Sequence, residues 1–288
     1  MTLSLVSCVP EAIKPKPYNY IINGPQDLNP AFSPNGNYIA YFHLAWDTPN
    51  PPGYPTGLYI IDKDGNNRKL VLLGYHEAPA WSPDGRWLVF SSGGVIQKCI
   101  INGDSLATFT GLNQLKYPEF YYPDWSSDGK YILFGKPLNP EGGLYSTTTD
   151  FLSSGRAFGL ELTSSNYPKL SPSRKKLAFI KGGQSFKGGT ELFIIDTTGA
   201  TEIRLTQNDR EDRAPTWSPD EQRIAWSSDI RLSIMNADGS GQREIGYGND
   251  PSWSVGNEIL FSHANADYTK EVLYIVSPDG TNRLQITF

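Results

Sequence analysis

The chain has 288 residues, 38% of them hydrophobic, 12% aromatic and 19% charged, and its formal net charge is −5. An acidic chain without a Lys/Arg run excludes a nucleic-acid backbone as its partner, and no segment reaches the roughly 20 apolar residues of a membrane-spanning helix. Its 2 cysteines, Cys8 and Cys99, exclude a disulfide framework.

From the N-terminus, Leu5-Val-Ser-Cys8 resembles the box at which bacterial lipoproteins are cleaved and lipidated, which makes Cys8 the candidate lipidation site. The charged leader and apolar segment of about 7–15 residues expected before such a box are not found in the 7 residues that precede Cys8. Residues 1–17, with the Pro-rich stretch Val9–Pro17, read as a tether, and residues 18–288 as a single domain. Cys99, inside the strand-like run Gln97–Ile101, reads as a small buried apolar residue.

One phrase then recurs six times: Pro30-Ala-Phe-Ser, Pro79-Ala-Trp-Ser, Pro123-Asp-Trp-Ser, Pro168-Lys-Leu-Ser, Pro215-Thr-Trp-Ser and Pro251-Ser-Trp-Ser, at intervals of 36 to 49 residues. A period of that size indicates a propeller or solenoid. The fifth repeat shows the unit. Ala214–Ser218 is a short extended run, Pro219-Asp220 turns the chain, and Arg223–Ser227 and Arg231–Met235 are second and third strands of period two. Asn236-Ala-Asp-Gly239 is a hairpin signal and Gln242–Ile245 a fourth strand. Four antiparallel strands make one blade, so the expected fold is an all-β, six-bladed β-propeller. Trp81, Trp125, Trp217 and Trp253, with Phe32 and Leu170 in the same slot, are the expected plugs between blades. A buried Trp removes about 150–250 Å² from water, about 4–6 kcal/mol gross. In the third repeat a Ser/Thr-rich stretch follows Leu144-Tyr145, so its outer strands are expected to be longer or irregular. Arg283–Phe288 reads as the last outer strand, and Tyr18–Ile22 as an added edge strand that joins it and seals the ring.

The phrase Pro-x-Trp-Ser-Pro-Asp-Gly, followed by strands such as Leu58-Tyr-Ile-Ile-Asp62 with Lys63-Asp-Gly65, resembles the TolB-type propeller repeat over about residues 18–288. The resemblance implies the fold. It leaves function open, because the family spans periplasmic TolB, non-catalytic domains of prolyl-peptidases and sugar-lyase relatives. TolB's amino-terminal domain has no counterpart here, and no Gly-x-Ser-x-Gly elbow is present.

In such a ring the Ser-Pro-Asp-Gly turns share one face with the Asp-Gly hairpins. The blade-to-blade links and the second-to-third strand loops share the other, where ligands are expected. The candidates on that loop face are His43, Trp46, Tyr75, His76, Tyr121, Tyr122, Lys136, Tyr167, Lys181, Tyr247, His263 and Tyr268, with Tyr54, Tyr117, Phe120 and Phe186 beside them. Tyr and Trp at an exposed surface stack on sugars or anchor peptides. His43, His76 and His263 are candidate ligands for zinc or manganese, or a candidate general base. Lys136 and Lys181 could receive an acidic group, or form a solvated rim. Asp209, Glu211 and Asp212, interleaved with Arg210 and Arg213, read as solvated surface. No cofactor is expected, the alternative being a divalent cation at the channel mouth.

The leading expectation is a non-catalytic binding module, acting as a monomer. Its loop face would present itself to a protein, peptide or glycan in the periplasm or at the cell surface, with a lipid anchor if Cys8 is modified. The second is a metal-assisted uronate lyase or hydrolase using the loop-face histidines.

Overall fold

The computed structural model describes residues 22–46, 53–111, 119–136, 142–182, 189–199 and 201–288. Cys8, Tyr117, Phe186 and residues 18–21 of the expected edge strand lie outside the described residues, and Ile22 is not in a strand. Among the described residues no helix is long and apolar enough to cross a membrane.

Each repeat contributes four strands. The first gives β1 (Gln26–Phe32), β2 (Tyr38–Leu44), β3 (Gly57–Asp62) and β4 (Lys69–Leu73), the second β5 (Glu77–Trp81), β6 (Trp87–Ser92), β7 (Val95–Ile100) and β8 (Ala107–Thr108). The third gives β9 (Tyr121–Trp125), β10 (Tyr131–Lys136), β11 (Gly143–Thr148) and β12 (Ser154–Arg156), the fourth β13 (Ser165–Leu170), β14 (Lys176–Gly182), β15 (Thr190–Asp196) and β16 (Glu202–Arg204). The fifth gives β17 (Asp212–Trp217), β18 (Arg223–Ser228), β19 (Arg231–Asn236) and β20 (Arg243–Tyr247), the sixth β21 (Asn249–Trp253), β22 (Ile259–Ala264), β23 (Glu271–Val276) and β24 (Leu284–Gln285). The third repeat's outer strand is short rather than long, because a turn at Thr148–Ser153 uses up the Ser/Thr stretch.

The serine of the phrase holds the first turn. Ser82 Oγ donates to Asp84 (2.5 Å) and accepts from Trp87 N–H (2.9 Å), and Ser218 does the same with Asp220 (2.5 Å) and Arg223 (2.9 Å). These hydroxyl bonds hold the Asp84 and Asp220 carboxyls below the usual range. The proline step bends the first strand. In each repeat the first strand slips register around the residue before proline, a β-bulge. That residue has a φ of 48° to 54° in all six: Asn29, Ala78, Tyr122, Tyr167, Ala214 and Asp250.

The first strands touch in the closed cycle β1–β5–β9–β13–β17–β21–β1. Each hydrophobic cluster is shared by two neighbouring repeats. Trp81, Leu88 and Phe90 pack on Ala40, Leu58 and Val71, and Leu260, Leu273 and Ile286 of the last repeat pack on Phe32, Ile39 and Tyr41 of the first. Two of the tryptophans also bridge repeats by hydrogen bonds, Trp81 Nε1 to Ala31 O and Trp217 Nε1 to Lys169 O, both 3.0 Å.

The sheet count corrects the expectation of six separate blades. Among the described residues four four-stranded sheets stand alone, and the other eight strands form one sheet. The reason is a single parallel pair, Gln26 of β1 with Glu271 of β23, reinforced by Glu271 N–H donating to Pro25 O at 3.2 Å. The whole is an all-β propeller of four-stranded antiparallel blades.

Candidate functional site at the channel mouth

The first strands line the central channel. At its loop-face end stand the six bulge residues, Asn29, Ala78, Tyr122, Tyr167, Ala214 and Asp250. A positive φ is the natural province of glycine, yet none of the six is Gly, and all six line the mouth. The neighbours Tyr122 and Tyr167 stack with centroids 3.7 Å apart and planes at 21°. On the other side Asn29 Nδ2 donates to Asp250 Oδ2 at 2.9 Å, and Asp250 N–H donates to Ser227 Oγ at 3.0 Å.

An adjoining cavity is lined by these four side chains with Glu271, Arg213, Glu211 and Asp229. Burial pushes the Asp250 carboxyl up to about 6, opposed by Arg213 and Asn29. Burial first, and then repulsion from Asp250, pushes Glu271 up to about 7, although Ser262 Oγ donates to it at 3.1 Å. Burial, with the charge of Asp250 in the same direction, raises both Tyr122 and Tyr167 above the usual phenol range. Arg213 is paired with Glu211.

The histidines are not gathered. His43 is buried; its Nδ1 lies 2.6 Å from Asp27 Oδ1 and its Nε2 3.1 Å from Tyr54 O. Arg68 reaches the other Asp27 oxygen at 3.2 Å and stands over the Tyr54 ring at 4.4 Å. His76 bonds Leu73 O through Nε2 (2.9 Å) and meets Phe90 edge-on. His263, at the same register as His43, bonds Ala264 O through Nδ1 (2.8 Å), and burial, with Arg283 next, pushes its pKa down to about 4. The expected metal triad is therefore corrected. Each imidazole bonds a backbone carbonyl through one ring nitrogen, His43 also a carboxylate through the other, and among the described residues no group of three His, Cys, Asp or Glu could hold a metal ion.

The other candidates divide by exposure. Trp46 (41%) and Tyr75 (64%) are exposed, with Tyr54 and Leu73 near them on the first repeat. Tyr121 stands beside Tyr122 at the mouth, Tyr247 beside His263, and Tyr268 at a turn closed by its N–H on Asn265 O. Phe120 is core. Lys181 pairs with Glu202 at 2.8 Å. Lys136 is buried rather than on a solvated rim. Asp212, expected at the surface, is buried and accepts from Trp226 Nε1 at 3.0 Å and Asn208 Nδ2 at 3.3 Å. Sequence reasoning missed Asn29, Asp250 and Glu271; the signal for the first two was their shared place one residue before the recurring proline.

The fold and this mouth define the chain as a β-propeller with a recessed, polar and aromatic loop face. No family model matches it. Among curated proteins it is similar to a TolB homolog of Chlorobium chlorochromatii, 29% identical over 133 residues, covering 46% of this chain and 28% of that protein. It is also similar to an uncharacterized protein of Agrobacterium fabrum, 24% identical over 66% of this chain and 67% of the relative. Among solved structures it resembles TolB of Acinetobacter baumannii with a TM-score of 0.70 at 21% identity, covering 88% of this chain and 64% of that one. The chain thus spans under a third of the Chlorobium protein and just under two thirds of the Acinetobacter one.

Proposed function

We propose that this chain is a non-catalytic, six-bladed propeller that docks a protein partner on its loop face, in the bacterial cell envelope. The eight-stranded sheet is read as two blades joined only at Gln26 and Glu271; the closed cycle of six first strands supports this. The observation that carries the docking reading is the pairing of an open channel mouth with exposed aromatic side chains, Trp46, Tyr54 and Tyr75, on the same face. Such rigid amphipathic anchors dominate protein interfaces. On the opposite face the turn aspartates Asp84, Asp220 and Asp238 are spent on backbone N–H groups of their own turns. The likeness to a TolB homolog supports both the partner class and the compartment. The lyase reading draws less support, because each of its three imidazoles bonds a backbone carbonyl through one ring nitrogen and His43 is also tied to Asp27.

The test is site-specific photo-crosslinking in intact cells. A benzophenone residue at Tyr75 or Trp46 is expected to give discrete protein adducts, and one at Asn102, exposed on the turn face, is not. Equal labelling from both faces, or none from the loop face, refutes the reading.

A further inference from the structure

We propose that the channel mouth is a receptor for an organic cation, a guanidinium or primary ammonium group, held between Asp250 and Glu271 on one wall and the Tyr122–Tyr167 pair on the other. This rests on the docking reading in one respect: a protein seated on the loop face is the natural carrier of such a group.

The six bulge positions share one backbone geometry, so their differences lie in side chains alone. Taken around the ring, they form two unlike pairs. Asp250 and Asn29, from the sixth and first repeats, are joined by a hydrogen bond. Tyr122 and Tyr167, from the third and fourth, are joined by stacking. Ala78 and Ala214, from the second and fifth, separate the pairs on both sides, and both open a gap where the others fill one. Glu271 joins the acidic wall because the Gln26–Glu271 pair draws the start of β23 against β1. One cavity of about 420 Å³ touches both walls, room for a guanidinium and the methylene chain behind it.

The charges around this cavity are unbalanced. Glu211, Asp229, Asp250 and Glu271 line it with a single cation, Arg213, which is paired with Glu211. Among the described residues neither Asp250 nor Glu271 is in an ion pair. Burial holds both carboxyls up, and repulsion from Asp250 adds to it at Glu271; a shared cation in the recess offsets both effects. A carboxylate facing an aromatic wall is the arrangement that recognises organic cations: one side supplies charge-assisted hydrogen bonds, the other a π face. A hard dication is served less well, since it wants six or more oxygen ligands and the tyrosine wall offers rings.

The experiment uses the full chain and four probes: agmatine (guanidinium), 1,5-diaminopentane (ammonium), pentanol (neutral) and Ca²⁺, titrated by calorimetry and by NMR of the protein. Agmatine or the diamine is expected to bind saturably below about 10 mM, with pentanol inert. Asp250→Asn, which keeps the Asn29 contact, and Glu271→Gln are each expected to weaken binding by about tenfold or more. Tyr167→Leu is expected to weaken it several-fold, with Tyr167→Phe close to wild type. Native-like near-UV spectra of the variants show that folding is intact. A neutral peptide carrying one internal Arg separates the two sources. Tighter binding than agmatine indicates a partner's side chain; weaker binding indicates a free amine. No saturable binding of either amine, binding indifferent to both carboxamide variants, or Ca²⁺ binding in place of the amines overturns the proposal. Crosslinking from Tyr75 that persists while the amines fail removes this inference and leaves docking standing; the reverse pattern removes docking alone.

Discussion

Trp217 and Trp125 occupy the same slot of the recurring phrase but differ in one bond. Trp217 is 5% exposed, and its Nε1–H donates across the blade junction to Lys169 O at 3.0 Å. Trp125 Nε1 is buried with no hydrogen-bond partner. Replacing each with Phe removes a similar apolar area, about 1 kcal/mol at the usual coefficient, so that contribution cancels in the comparison. What remains is polar. Trp217→Phe deletes a hydrogen bond and strands a carbonyl, costing about 1–2 kcal/mol. Trp125→Phe removes an unpaired buried donor and recovers a similar amount. Trp217→Phe should therefore be the less stable variant by about 2–4 kcal/mol, read from urea midpoints at unchanged m-value by far-UV circular dichroism. Equal midpoints, or Trp125→Phe the weaker, would refute the bonding pattern proposed for the blade junctions.

Asp27→Ala should destabilise by about 3–5 kcal/mol, because it leaves the buried His43 and the half-buried Arg68 without their shared carboxylate; a loss under about 1 kcal/mol in the same titration would contradict that. The mouth carboxyls predict a pH effect. With Asp250 at about 6 and Glu271 at about 7, against ordinary values of 3.8 and 4.5, the folded chain holds protons that the unfolded chain releases. Stability contributed by these groups is present in acid and lost as pH rises from about 4 through 7. The groups facing Asp250 are Asn29, Ser227, Arg213, Glu271, Tyr122 and Tyr167. Asp250→Asn should shrink the fall in melting temperature between pH 5 and 8; an unchanged profile would remove Asp250 from the account. His263, held down at about 4, acts in the opposite sense. Its contribution is lost as pH falls from about 6.5 through 4, so His263→Gln should flatten the acid side of the same curve, and an acid limb as steep as wild type would contradict this.

Much of the fold was legible because its signals are local. The serine and aspartate of the phrase bond to each other and to a backbone N–H within five residues, as at Ser82 and Asp84. Wherever that turn is built, the same letters recur. The fourth repeat shows the rule by departure: Ser173 replaces the aspartate, and Arg174, in the glycine position at φ 63°, instead reaches Asp128 of the preceding repeat at 2.6 Å. The sheet junction at Gln26 and Glu271 was not legible, since it rests on one pair of residues far apart in the chain. Nor was the burial of His43, Lys136 and Asp212. Sequence shows that these side chains are polar, but the partners of His43 and Asp212 come from elsewhere in the chain and are fixed only by the fold. At the mouth, a constant backbone carries variable side chains, so the repeat itself conceals Asp250.

The ring itself is tested most directly by distances between equivalent turn positions. With Cys8 replaced by Ser and Cys99 buried, spin labels at Asn37 and Arg86 report adjacent repeats, and labels at Asn37 and Lys175 report repeats three apart. A closed six-membered ring requires the second distance to be about twice the first. A ratio of about 1, as for members three apart in a four-membered ring, or a broad distribution without a preferred distance, would contradict it.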